Sequence, residues 1–408
     1  MQNELLLKAR LLVDGVRVGE SAFHGVGQQH KEQVHHLFEY DFDVHAAPFQ
    51  PAEMRLPGGS VVQVRLNHNA PFLVELRGDT LVLEENGRAL ANIEWLERPA
   101  FYDLSTSGGT EMTSIAELVG EDCLSVSHTN TCLTFSNGKQ CAFCNLNYTP
   151  KQYDEVLLRK KAAEVGEVAG AAFRSGVARH FTITGGILRG NREMGILETY
   201  LEAFREATGL EKIPGYVIMT PPEDLRELER LYNMGIQGIG FNLECWDPAF
   251  FRAICPGKEE RIGYERYREA QRAAVEIFGA GGRVFSGFVA GIEPMEFLLE
   301  GVQELAEEGI ASIPLVWSPS AGTRLQGHRP PTGEWHLELA ERAASLMVRH
   351  LRRDTAAIAE EPVRCTHCQT QCLLQDVLVS RLRLLRTALS KRTSPNADAA
   401  NRAQACRR

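Results

Sequence analysis

The sequence has no basic excess, no long apolar run, no internal repeat and few cysteines. Its 53 Asp and Glu outweigh 44 Lys and Arg, leaving a net charge of −9. A nucleic-acid binder usually presents a basic face, so this balance argues against one. No run of ~18 apolar residues occurs, which argues against a transmembrane helix. Met1-Gln-Asn-Glu-Leu-Leu-Leu7 lacks the basic start of a secretory signal, and a cytoplasmic protein is expected. Ten cysteines in 408 residues are too sparse for a secreted disulfide scaffold. In a cytosolic chain, clustered cysteines more often bind metal or act chemically.

What is present falls into three stretches, expected as an α+β accessory domain (1–110), a (β/α) core (122–353) and a cysteine-bearing extension with a basic tail (354–408). In the first, Ser60–Leu66 alternates at period two after the turn signal Pro57-Gly-Gly59. Phe72–Leu76 and Thr80–Leu83 predict a hairpin across Arg77-Gly-Asp79, and Ala89–Trp95 a further strand. His24, His30, His35, His36 and His45 have no Cys or acid at ligand spacing, so scattered surface histidines are expected rather than a metal site.

The second stretch alternates short apolar runs with amphipathic segments. Strands are predicted at Thr131–Phe135, His180–Thr184, Gly215–Thr220, Gly238–Leu243, Gly282–Ala290 and Ala311–Trp317. Helices are predicted at Asp154–Ser175, Arg192–Ala207, Pro222–Met234, Arg261–Gly279, Glu296–Glu308 and Thr332–Arg353. Successive strand–helix units imply a parallel sheet with right-handed crossovers, and six strands imply a whole or partial TIM-type barrel. A further amphipathic helix is predicted at Gln375–Leu389, before a solvated, partly disordered end.

Cys132, Cys141 and Cys144 form a C-x8-C-x2-C triplet around the turn signal Ser136-Asn-Gly138. They fall just past the first barrel strand, at the end of the fold where barrel active sites lie. Three cysteinates can hold three irons of a [4Fe–4S] cluster and leave the fourth open. The alternative is zinc, with Cys123 or His128 as fourth ligand.

Cys141-Ala-Phe143-Cys144 resembles the radical SAM superfamily, where an aromatic precedes the last cysteine. The usual spacing there is C-x3-C-x2-C, so the long first gap is a departure. Four further matches follow in order. Thr184-Gly185-Gly186 resembles the Gly-Gly motif that binds the SAM amino group. Asn242-Leu-Glu244 resembles the polar pair on the ribose hydroxyls. Arg266, in Arg261-Ile-Gly-Tyr-Glu-Arg266, matches the residue near the SAM carboxylate in biotin synthase relatives. Gly287-Phe-Val-Ala-Gly291-Ile292-Glu293 resembles the adenine motif, and Ser312–Thr323 resembles the sixth strand of those relatives.

The resemblance implies a partial (β/α)6 TIM-type barrel that holds a [4Fe–4S] cluster and S-adenosylmethionine. It implies reductive SAM cleavage to a 5′-deoxyadenosyl radical, which abstracts hydrogen from a small-molecule substrate. An electron donor such as a flavodoxin or ferredoxin is expected, with no nucleic-acid or membrane partner. Biotin synthase itself is not expected. Thr182, Ile218 and Phe285 stand where that enzyme carries ligands of its second cluster, and none replaces a thiolate. Uncharacterised biotin-synthase-related proteins are the nearest resemblance.

Cys365, Cys368 and Cys372 form a second group, C-x2-C-x3-C, with His367 beside it. An auxiliary cluster, a structural zinc and no metal at all are each open readings. Cys245 is expected to be a buried structural thiol, with its side chain opposed to those of Glu244 and Trp246. Cys255, before Pro256-Gly257, is a candidate to reach the barrel mouth. Arg189, Asn191, Trp317, Ser318 and Ser320 are candidates for substrate contact by position alone. Two rival functions stand beside the main reading: a non-catalytic metal-binding or redox-sensing barrel, and sulfur insertion through the C-terminal group.

Overall fold

Apolar runs punctuated by glycine turns build two sheets. The computed structural model describes residues 2–34, 49–146, 160–189, 192–351 and 366–381. Helix α1 (Gln2–Asp14) leads into β1 (Arg17–Val18), β2 (Glu53–Arg55), β3 (Val61–Gln63), β4 (Phe72–Arg77), β5 (Thr80–Glu85) and β6 (Arg88–Trp95). These strands form one sheet in the order β1-β4-β5-β6-β2-β3. The pair β1–β4 is parallel and the others are antiparallel. The expected hairpin is present, with Phe72 opposite Glu85 and Arg77 opposite Thr80. Val62, Phe72, Val74, Leu83 and Trp95 pack with Leu11 and Leu12 of α1 in a core of their own. His24 is exposed and His30 half-buried, while His35, His36 and His45 lie outside the described residues.

The chain then passes through α2 (Met112–Ile115) and β7 (Glu117–Val119) into β8 (Cys123–Thr129). Helices α3 (Leu133–Ser136) and α4 (Ala162–Arg174) precede β9 (His180–Gly185). Helix α5 (Arg192–Thr208) leads to β10 (Ile213–Ile218), and α6 (Leu228–Asn233) to β11 (Ile236–Gly240). Three helices, α7 (Pro248–Ile254), α8 (Pro256–Arg261) and α9 (Tyr264–Phe278), separate β11 from β12 (Val284–Ala290). Helix α10 (Met295–Glu307) leads to β13 (Ala311–Val316), followed by α11 (Gly333–His350) and α12 (Thr366–Gln371).

Strands β8 to β13 are all parallel and lie in chain order, with β7 antiparallel on the β8 edge. The sheet stays open, its edges at β13 and β7. This is an α/β partial (β/α)6 TIM-type barrel. Such strands are covered on both faces and therefore read as apolar runs; β12 is buried at every position. Helices cover the outer face, as where Phe204 of α5 stacks on Phe181 of β9 with ring centroids 4.6 Å apart. No described helix is long and apolar enough to cross a membrane.

Three expectations are corrected. Thr131–Phe135 is not the first barrel strand; it is loop and the start of α3, and the strand lies upstream at Cys123–Thr129. That strand alternates buried Leu124 and Val126 with Ser125 and Ser127, so its apolar signal is thin. Helix α6 begins at Leu228 rather than Pro222, because the Asp224 side chain accepts from the Arg226 backbone N–H and sets a 3-10 turn first. Strands β10 and β11 begin at Ile213 and Ile236, so Gly215 and Gly238 lie inside them rather than opening them.

Buried charges tie the pieces together. Arg65, 3% exposed, donates to the Leu12 carbonyl at 2.8 Å and the Ser318 hydroxyl at 2.7 Å, fastening the N-terminal sheet to the end of β13. Lys31 bridges Glu53 of β2 at 2.7 Å and donates to the carbonyls of Leu118 and Gly120. Lys8 of α1 pairs with Asp376 at 2.8 Å, with both side chains buried. Residues 374–381 are helical, within the predicted Gln375–Leu389 segment, and the remainder lies outside the described residues.

Candidate active site

The cysteine loop sits at the C-terminal end of β8 and is gripped from several sides. The Leu133 N–H donates to the Ile187 carbonyl at 2.9 Å, and the Ile187 N–H approaches Cys132 Sγ at 3.4 Å. The Ala142 N–H donates to Ile254 O of α7 at 2.8 Å, and its carbonyl accepts from Leu325 N, beyond β13. Two glycines make the fit possible. A Cβ on Gly186 would stand 2.3 Å from Thr131 O and 2.7 Å from Cys132 Cβ. A Cβ on Gly257 would stand 2.4 Å from Thr134 Cγ2. Backbone without a side chain is needed at both approaches.

Cys132, Cys141 and Cys144 are all half-buried on this one loop. A hydrogen bond with Cys255 draws the Cys141 thiol below its ordinary range; burial opposes this and the charge of Lys258 assists. Burial pushes the Cys144 thiol up, followed by the charges of Cys141 and Cys132. The three thiols therefore feel one another across the loop. Among the described residues, no three His, Cys, Asp or Glu side chains are gathered to hold a single metal ion. A cluster asks for a different arrangement, in which each cysteinate binds its own iron. The thiol donor set and its spread over one loop fit such a cluster.

The other expected residues stand at the ends of neighbouring strands. Thr184 and Gly185 close β9, with Gly186 packed on Cys132. Phe143 and Ile292 are half-buried against the barrel core. Asn242 follows β11, and its Oδ1 accepts from the Gly287 N–H of β12 at 2.9 Å. Glu244 adopts a left-handed φ of 67°, uncommon for a residue with a side chain. Its N–H donates to Gly287 O and its carbonyl accepts from the Val289 N–H. Arg266 of α9 is turned to the carbonyls of Pro222 and Glu223, beyond β10, at 2.8 and 2.6 Å.

Two features escaped the sequence reading. The Lys258 ammonium donates to Glu244 Oε1 at 2.6 Å and to the Asn242 carbonyl at 3.0 Å. Burial opposes its charge, yet Glu244, then Tyr267 and the two thiols, hold its pKa well above the ordinary lysine range. The second is the pairing of His128 of β8, weighed above only as a fourth zinc ligand: it is buried, with Nε2 3.1 Å from Glu193 Oε1. Glu193 also accepts from the Thr220 hydroxyl and so spans the ends of β8 and β10. Only a tertiary fold brings these together, so no local spacing announces them.

Cys245 is buried as expected, but β11 has already ended at Gly240, so strand alternation does not govern its direction. Cys255 does reach the cysteine loop, through its hydrogen bond to Cys141. Ser318 accepts from Arg65, Ser320 and Trp317 are buried, and Arg189 is exposed. Asn191 and Cys365 lie outside the described residues, as does the side chain of Cys368. Cys372 is buried in the main core, with the Leu374 N–H 3.4 Å from its sulfur.

No protein-family model matches the chain. Among curated proteins it is 27% identical over 336 residues to bacteriochlorophyllide c C-7(1)-hydroxylase of Chlorobaculum limnaeum, a match covering 78% of this chain and 83% of that one. That relative is an enzyme, a hydroxylase. The cysteine loop, the Gly-Gly turn and Asn242–Glu244 lie at the ends of β8, β9 and β11 of one sheet. The resemblance is to the radical SAM superfamily. Similar solved structures include methylornithine synthase, with 15% identity over 61% of this chain and 71% of that one at a TM-score of 0.43. Another is the FeFe-hydrogenase maturase HydG of Carboxydothermus hydrogenoformans, with 14% identity over 63% and 56% at a TM-score of 0.42.

Proposed function

We propose that the protein cleaves S-adenosylmethionine reductively and uses the resulting radical on an unactivated C–H bond of a small-molecule substrate. A [4Fe–4S] cluster, held by Cys132, Cys141 and Cys144, would supply the electron that releases a 5′-deoxyadenosyl radical. Gly185 and Gly186, seated against His128 and the cysteine loop, would present backbone to the SAM amino group. Asn242 and Glu244 offer an amide and a carboxylate to the ribose diol. Thr184, Phe143 and Ile292 shape the walls, and Arg266 would serve the SAM carboxylate only by giving up its bonds to the Pro222 and Glu223 carbonyls and to Glu269. Regions 1–110, 122–353 and 354–408 act as accessory, catalytic and C-terminal units. The second cysteine group is proposed as a further metal site, and a small redox protein as the electron donor.

The observation that carries the reading is the close seating of the cysteine loop on the strand ends that bear Gly186 and Glu244. The hydroxylase among its relatives supports a C–H bond as the target and hydroxylation as the outcome. The test is anaerobic reconstitution with iron and sulfide, reduction, addition of SAM and assay of 5′-deoxyadenosine. Formation by the wild type and loss in Cys144→Ala are expected. Full turnover by a folded Cys144→Ala, or zinc at the triplet with no SAM binding, would sink the proposal.

A further inference from the structure

Lys258 joins the two halves of the candidate site and belongs to neither. It follows Gly257, whose N–H donates to Lys139 O of the cysteine loop at 3.0 Å. Its ammonium reaches the end of β11, on Glu244 Oε1 at 2.6 Å and Asn242 O at 3.0 Å. It also stands 5.3 Å from the centroid of the Tyr267 ring. Its side chain is 13% exposed and that of Glu244 12%. A lysine with its long stem in the protein and its charge committed to one carboxylate is not a solvated surface group.

The partner is the residue with the strained backbone. A non-glycine residue at φ 67° costs about 1 kcal/mol or more and persists only where its surroundings over-determine it. Three bonds do so at Glu244: its N–H to Gly287 O, its carbonyl from Val289 N, and its carboxylate from Lys258. The first two fix the backbone. Lys258 alone, among the described contacts, fixes the carboxylate, and it engages Oε1 while leaving Oε2 for another donor.

We propose that Lys258 is a positioning residue for ribose recognition. It holds the Glu244 carboxylate aimed, so that its other oxygen accepts from a ribose hydroxyl of SAM. The inference rests on the reading of Glu244 as the diol ligand. Removing the ammonium leaves a half-buried carboxylate without its hydrogen-bond partner, free to turn away from the diol. That turn takes an aligned acceptor from the diol and weakens discrimination of the hydroxyl it faces.

The test compares wild type, Lys258→Met and Lys258→Arg, each loaded anaerobically with the cluster. Iron content, cluster absorption and thermal unfolding are recorded first. Equilibrium dialysis then measures affinity for SAM and for its analogue lacking the 3′-hydroxyl. Wild type is expected to favour SAM clearly. Lys258→Met is expected to bind SAM roughly 10- to 100-fold more weakly and to lose most of that preference, the scale of one charge-assisted hydrogen bond. Lys258→Arg keeps the charge and should retain the preference. A loosened fold weakens both ligands alike and leaves their ratio unchanged, so the ratio isolates positioning from stability. If Lys258→Met does not fold, Lys258→Gln takes its place. A wild type that binds and discriminates beside a folded, neutral variant with the same ratio overturns this inference and leaves the proposed function standing. A cluster-loaded wild type with no SAM binding overturns both.

Discussion

Gly186 is the position where a single atom decides the shape of the site. A methyl there would collide with Thr131 O at 2.3 Å and Cys132 Cβ at 2.7 Å. One contact is backbone, so the loop itself must shift. Gly186→Ala is expected to lower iron bound per chain after anaerobic reconstitution and to destabilise the fold by roughly 1–3 kcal/mol. Iron content and melting temperature equal to wild type would mean that the loop yields freely. The cysteines and the Gly-Gly turn were legible in the sequence because few residue types can do their work. Lys258 was not. In Pro256-Gly-Lys-Glu-Glu-Arg261 it reads as one charge on a solvated helical turn, and only the return of this segment beneath the cysteine loop buries it. The strain at Glu244 was equally silent, since nothing local asks that residue for a left-handed φ.

At the scale of elements, the turn from β11 into α7 is held by a residue from the next strand–helix unit. Glu293, after β12, accepts from the N–H groups of Trp246 at 2.7 Å and Asp247 at 3.0 Å. Asp247 in turn caps α7 by accepting from Ala249 and Phe250, with Pro248 at the first helical position. Burial pushes the Glu293 carboxyl up to about 7, against those two N–H groups and with Asp247 assisting. An acid raised in the folded state favours folding most below its unfolded value and loses that contribution as pH rises through the folded one. Between about pH 4.5 and 7 this group should therefore cost the wild type on the order of 3 kcal/mol. Glu293→Gln is expected to flatten that part of the profile, read from urea unfolding at half-unit pH steps. An equally steep decline in the variant would assign the slope elsewhere. Elements with strong apolar periodicity, such as β9, β13, α5, α10 and α11, were legible nearly to their ends. Strand β8 was not, because its serines dilute the pattern and the apolar residues of Thr131–Phe135 imitate a strand.

Across the whole molecule, the order of strands in the barrel was readable from the alternation of runs, but the ties between units were not. Arg65, Lys31 and Lys8 are ordinary surface residue types in sequence, and each is buried only because a distant segment supplies its partner. The longest of these ties is Lys8 to Asp376 at 2.8 Å, with the lysine also donating to Gln369 O. Asp376→Ala should strand a buried ammonium and destabilise the protein by about 3–5 kcal/mol. The double variant Lys8→Met, Asp376→Leu should recover most of that loss. Denaturant midpoints for the two single variants and the pair measure it, and a double variant no better than Asp376→Ala would mean that the pair does not act as a unit.

That last contact also sets an order of events during synthesis. Its partners are 368 positions apart. At ~5–20 residues per second, roughly 20–70 s of translation separate their emergence from the ribosome. Helix α1 is thus finished long before its counter-ion exists: Leu11 and Leu12 can settle on the N-terminal sheet early, while the Lys8 ammonium stays without Asp376 until the end of the barrel has been made.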